Sequence, residues 1–187
     1  AVSGVRTHSV LIRIVTDRFR LPHRDDDGQV HVIVESPRGS CVKLKYDAAL
    51  GLFTWSRPLP LGLHVPFDLG FIPGTLAPDG DPVDVFLYTD VATHPGVLAR
   101  GRVVAALRIE QQRDGGPIKR NDRVLVVPFE AHRQRDVLDL ADIPPRVRDE
   151  LEAFCLASLA LTGKQIRLAG WADAAEASAA VDGAAVP

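Results

Sequence analysis

Apolar positions form short runs over the first two thirds of the chain and a helical period in the last third. The run at 10–15 (VLIRIV) has strand character, as do 31–34 (HVIV) and 52–55 (LFTW). Residues 41–46 (CVKLKY) alternate apolar and polar with period two, the mark of a half-buried strand. Further strand-like runs lie at 83–88, 97–109 and 123–127, with a flexible RDGGP loop at 113–117 between the last two. Gly, Pro and Asp clusters separate these segments. Many short strands broken by turn signals predict a closed or nearly closed β-barrel, because closure removes exposed sheet edges.

After residue 140 the period changes. Asp142 stands where a helix cap belongs, with Pro144 or Pro145 in the first turn, a place that tolerates proline. Val147, Leu151, Phe154, Ser158 and Leu161 recur at helical spacing, and Gly163 marks the expected stop. A strand at 165–168 and an alanine-rich helix at 172–181 complete the pattern. No linker or repeat interrupts the chain. The expectation is one α+β domain, a closed or nearly closed barrel followed by helices, with the 10–15 strand ahead of it.

Composition narrows the function classes. The 187 residues are 46% hydrophobic, enough for a core without disulfide or metal staples. With 24 acidic against 22 basic side chains, bulk attraction to nucleic acid or an acidic membrane is excluded. Only 6% of residues are aromatic, which speaks against a stacking nucleic-acid module. Cys41 and Cys155 stand far apart, as two small hydrophobes in a reducing compartment do. No apolar run reaches membrane-span length, and the N-terminal residues lack a secretory apolar core, so the cytoplasm is the expected location. Only four of the 22 basic residues are lysines, which singles out Lys43, Lys45, Lys119 and Lys164 for inspection.

The outstanding chemistry is Asp79-Gly-Asp-Pro-Val-Asp84. Three carboxylates in six residues repel one another unless a cation sits among them. Pro78, Gly80 and Pro82 set a bend on which they converge, and hard oxygen donors suit Mg²⁺. A calcium EF-hand fails, because its oxygen donor and glycine at the fifth and sixth positions are Val83 and Asp84 here. Gly163-Lys164-Gln165 lacks the first glycine and the Ser/Thr of a phosphate loop. The six histidines show no metal-ligand spacing.

Residues 67–85, FDLGFIPGTLAPDGDPVDV, resemble the signature of the family I inorganic pyrophosphatases, Asn-Tyr-Gly-Phe-Ile-Pro-x-Thr-x-x-x-Asp-Gly-Asp-Pro-x-Asp. The order of His94-Pro-Gly96, Arg100-Gly-Arg102 and Gly170-Trp171 is also similar, so the likeness spans about 30 to 181. It implies an oligonucleotide-binding-like five-stranded barrel, a homo-oligomer (dimer or hexamer), and hydrolysis of pyrophosphate with Mg²⁺, Mn²⁺ being a second candidate. By the resemblance, Asp79 and Asp84 are metal ligands and Asp81 helps activate the attacking water. Glu35 is an outer metal-site acid. Lys43 and Arg57 bind phosphate.

Other positions depart from the family pattern. Leu69 replaces the signature tyrosine and Lys45 an acid. An aspartate after the long strand has Glu110 or Gln111 as its counterpart. Asn121 takes a second aspartate position, with Asp122 one register away, and Arg123 takes a lysine position. The Tyr-Lys pair of the long helix falls at Ala157 and Ser158. Glu110 and Asn121 are therefore the remaining candidate metal ligands, and Arg123 joins Lys43 and Arg57 as a phosphate clamp. Two readings stay open: a hydrolase of pyrophosphate, slowed or shifted to another phosphoanhydride, and a non-catalytic homologue that binds phosphate, a nucleotide or a partner on the same fold.

Overall fold

The computed structural model of the chain describes residues 21–186. The strand expected at 10–15 lies outside them. Among the described residues, nine strands and two α-helices follow in order: β1 (Val30–Ser36), β2 (Val42–Asp47), β3 (Leu52–Pro58), β4 (Asp68–Ile72), β5 (Val83–Leu87), β6 (Leu98–Arg113), β7 (Lys119–Arg120), β8 (Arg123–Pro128), α1 (Pro145–Leu159), β9 (Lys164–Ala172) and α2 (Ala174–Gly183).

Five strands close on one another. β1 pairs with β4, β4 with β5, β5 with β8, β8 with β6, and β6 returns to β1. All of these pairs are antiparallel except β5–β8, so the ring is mixed. β1 is buried at every position because it lies between β4 and β6. The long strand β6 also carries β7 and β9. Register shifts between Val103 and Ala105 and between Leu107 and Ile109 let it bend while serving several partners. β2 and β3 form a separate hairpin.

Two glycines permit the ring to close. A Cβ on Gly70 of β4 would stand 2.2 Å from the Ile33 carbonyl oxygen of β1. One on Gly101 of β6 would stand 2.3 Å from the Val127 carbonyl oxygen of β8. Gly70, with Pro66 and Pro73 nearby, is also why the pattern at 68–72 gives no strand from sequence: the glycine interrupts the apolar run, yet the backbone contact needs it.

The helices cover two apolar clusters. Ala177 and Val181 of α2 pack with Val32, Ile72, Val85 and Val126. Leu151, Phe154 and Cys155 of α1 pack with Phe86, Leu107 and Leu125. Helix α1 starts at Pro145 behind Pro144, with no side-chain cap. Asp142 is not its cap. It closes a 3-10 turn, Leu140–Asp142, and its carboxylate accepts from the Leu138 and Asp139 amides at 2.9 and 3.0 Å. The helix ends at Leu159, which leaves Leu161 outside it and exposed. Gly163, at φ +71°, turns the chain into β9. Helix α2 starts later than the pattern suggests, because Asp173 accepts from the Glu176 amide at 2.8 Å and fixes Ala174 as the first turn. Residues 21–29 are tied to this unit: Arg24 donates to Asp182 at 2.7 Å and to Ser178 at 2.6 Å. Among the described residues no helix is long and apolar enough to cross a membrane.

Candidate active site

The end of β1, the β2–β3 hairpin, the acidic bend before β5 and the adjoining ends of β6, β8 and β9 enclose a cleft of about 360 Å³. The bend is held from both sides. The Ala77 amide donates to the Asp81 carbonyl at 2.7 Å and the Gly80 amide to the Ala77 carbonyl at 2.9 Å. Gly80, at φ +96°, supplies the left-handed turn that an L side chain would strain. Buried Thr75 clips the two limbs together: its hydroxyl donates to the Ile72 carbonyl at 2.6 Å and accepts from the Val83 amide at 3.0 Å.

Glu35, Asp79, Asp81, Asp84, Lys43, Arg57, Asn121 and Arg123, all singled out by sequence, line this one cleft. Each carboxylate already has a partner. Lys45 donates to both Asp81 oxygens at 2.8 Å. Arg123 lies 2.7 Å from an Asp84 oxygen and also donates to the Asn121 side chain. That ion pair follows from the β5–β8 register, which sets Asp84 opposite Arg123. Gln111 donates to Asp79 at 3.3 Å. Glu35 is 6% exposed and accepts from the Tyr46 amide at 2.7 Å. Burial pushes its carboxyl up to about 7, against the pull of the Tyr46 amide and Lys43. Lys45 is also partly buried, which disfavours its charge, yet Asp81, Glu35 and Asp84 hold its ammonium above the ordinary lysine value.

Several expected positions fall elsewhere. Glu110 turns outward and pairs with Arg167 of β9 at 2.6 Å, while Gln111 turns inward. Successive strand residues face opposite sides, so the one-residue choice decides the matter. Between β7 and β8, Asn121 faces the cleft. Asp122 lies on the other side, accepting from the Ile109 amide at 3.1 Å. On α1 the inward positions are Ser158 and Leu159; Ala157 is exposed. Leu69 lines a separate, more apolar cavity that adjoins the cleft, together with Phe86 and Phe154. Sequence reasoning did not place Arg113 or Lys164 here, although both line the cleft. The scarcity of lysine was a usable signal, since three of the four lysines face this space.

A divalent cation is the implied cofactor. Among the described residues no three His, Cys, Asp or Glu side chains converge as a ready-made metal cage. Mg²⁺ does not require one, since it binds through one or two carboxylates and completes its shell with water and phosphate oxygens. Asp79 and Asp84, with the neutral Asn121 carbonyl nearby, are hard oxygen donors that fit this mode.

Comparison with known proteins gives the same direction throughout. The family model described as inorganic pyrophosphatase matches residues 32–186. The inorganic pyrophosphatase of Thermus thermophilus is 37% identical over 147 residues, covering 77% of this chain and 81% of that one. That of Nostoc sp. is 33% identical over 166 residues, covering 89% and 95%. A crystal structure of the Thermus thermophilus pyrophosphatase superposes with a TM-score of 0.80 at 35% identity, over 88% of this chain and 94% of that one. A pyrophosphatase structure from Coxiella burnetii gives 0.79 at 30% identity, over 88% and 97%.

Proposed function

Because the chain belongs to the family I inorganic pyrophosphatases, we propose that it hydrolyses inorganic pyrophosphate to two phosphates in the cleft built on Asp79–Asp84. The observation that carries this reading is the gathering of Glu35, Asp79, Asp81 and Asp84 with Lys43, Arg57 and Arg123 around one cavity. Lys43 and Arg57 are cross-strand neighbours on the β2–β3 hairpin and present two cations to a phosphate. Arg123 adds a third when it turns from Asp84. Positioned cations of this kind stabilise the charge of a loose phosphoryl-transfer transition state. Asp81 orients water and accepts its proton. Asp79 and Asp84 hold a divalent cation, Mg²⁺ or Mn²⁺, which when bound neutralises phosphate charge and acidifies water. Asn121 offers it a neutral oxygen, and Glu35 stands behind as a buried carboxyl whose pKa burial raises to about 7. The reading assigns Glu110 no role, since it faces outward.

The proposal extends to the unit that carries the activity, residues 30–187 as an OB-like closed barrel with 1–29 as an extension, to a homo-oligomer (dimer or hexamer), and to the cytoplasm as its compartment.

A second reading has its own observation. With Lys45 on both Asp81 oxygens, the carboxylate meant to accept a proton is occupied. This favours a homologue that binds phosphate, a nucleotide or a partner without turnover. A panel of pyrophosphate, longer polyphosphates and nucleotides, each with Mg²⁺ and with Mn²⁺, separates the two. Phosphate release from pyrophosphate that is lost in Asp81→Asn supports hydrolysis. Absence of release from every substrate supports the binding homologue.

A further inference from the structure

Six cations line the cleft against four carboxylates, although the whole chain carries a formal charge of −2. Lys45 and Arg123 are paired with Asp81 and Asp84. The other four, Lys43, Arg57, Arg113 and Lys164, make no ion pair with any described carboxylate. Their arrangement is unusual. Lys43 stands opposite Arg57 on the β2–β3 ladder, and Arg113 stands opposite Lys164 on the β6–β9 ladder. Like charges facing each other across strands are destabilising. Two such pairs face the same cavity from two separate sheets.

The second pair is held in place by local structure. The Arg113 carbonyl accepts from the Gly116 amide at 2.8 Å, and both central residues of that turn, Asp114 and Gly115, have positive φ (+50° and +70°). This is the geometry of a primed hairpin turn. Gln112 donates to the Gly116 carbonyl at 2.8 Å and braces it further. Lys164 reaches inward to the Gln111 side-chain oxygen at 3.2 Å. Burial first, and then the charges of Arg113, Lys43 and Arg123, hold the Lys164 ammonium below its ordinary value. An anion bound between these side chains would relieve this crowding of positive charge.

We propose that Arg113 and Lys164 form an anion subsite that takes a phosphate group in the cleft, so that pyrophosphate binds there before any divalent cation arrives. The inference rests on the pyrophosphate reading for its ligand and on the two cationic pairs for its place. Protein cations carry part of the neutralisation otherwise left to metal. Lys45 contributes in the same sense by occupying Asp81.

Calorimetric titration of the full chain with pyrophosphate in excess EDTA tests this. The wild type is expected to bind, and Arg113→Gln and Lys164→Gln are each expected to weaken binding about tenfold, the scale of one charge-assisted contact. Lys119→Gln, on exposed β7, serves as the control for loss of general positive charge and is expected to leave affinity within about twofold. Circular dichroism checks that all variants fold. No binding by the wild type in EDTA overturns the proposal, as does unchanged affinity in the Arg113 and Lys164 variants. The two readings fail separately. Metal-free binding without phosphate release in Mg²⁺ removes hydrolysis and leaves the subsite. Release in Mg²⁺ without metal-free binding does the reverse.

Discussion

Lys45 of β2 holds both carboxylate oxygens of Asp81 at 2.8 Å, joining the hairpin to the acidic bend across the mouth of the cleft. The two side chains are 47% and 52% exposed, so the pair contributes about 1 kcal/mol or less to stability. Its weight is chemical, because it occupies the lone pairs with which Asp81 would accept a proton. Lys45→Gln is therefore expected to raise Mg²⁺-dependent phosphate release, by about tenfold for roughly 1.4 kcal/mol of barrier. The melting temperature is expected to stay within a few degrees. Steady-state kinetics and a thermal melt on the same preparation check both halves.

Arg123 and Asp84 present the opposite case. Their side chains are 12% and 19% exposed and lie 2.7 Å apart, across the parallel β5–β8 pair. Removing one partner leaves a largely buried charge, at a cost of about 3 kcal/mol. Asp84→Asn and Arg123→Gln are each expected to lower the melting temperature by roughly 6–12 °C. The double variant is expected to lose less than the sum of the two, as coupled neighbours do. Asp84→Asn is further expected to abolish heat of Mg²⁺ binding in calorimetry.

What the sequence revealed about this site was residue type more than direction. The Asp79–Asp84 motif and the resemblance around it were enough to bring Glu35, Lys43, Arg57 and Arg123 into one picture. The strand at 68–72 was hidden because Gly70 breaks the apolar pattern for a reason that lies on another strand. Glu110 and Gln111 are adjacent in a strand whose alternation is disturbed by a register shift just upstream, so facing could not be settled by counting. Ala157 and Ser158 differ by about 100° around a helix, and one step of alignment turns an inward position outward. Arg113 and Lys164 lie 51 positions apart, and only the β6–β9 register sets them face to face.

Gly70→Ala tests the closure of the ring. The added Cβ would meet backbone, the Ile33 carbonyl oxygen at 2.2 Å, and no side chain can move aside to admit it. The expected cost is about 3 kcal/mol or more, within the range of overpacking in a rigid core. Urea unfolding monitored by fluorescence is expected to show a lower midpoint with an unchanged slope.

Glu35 gives a pH dependence of defined sign. Its folded-state pKa is raised from 4.5 to about 7 by burial, so the folded protein holds a proton that the unfolded chain has released across that interval. Stability therefore falls as pH rises from about 4.5 to 7, by on the order of 3 kcal/mol from this group, and levels off above. Glu35→Gln keeps an oxygen for the Tyr46 amide and removes the titration. In EDTA the stability advantage of this variant over the wild type is expected to grow between pH 5 and pH 7 and then remain constant. A constant difference across that range contradicts the assignment.

The central claim is that the Asp79–Asp84 bend and the cations facing it cleave pyrophosphate. ³¹P NMR of pyrophosphate incubated with the wild-type chain and Mg²⁺ measures this directly, beside Asp81→Asn under the same conditions. The account predicts loss of the pyrophosphate resonance with two orthophosphates formed for each molecule consumed, and none with the variant. A pyrophosphate signal that persists at the uncatalysed rate with the wild type, or equal turnover by Asp81→Asn, contradicts it.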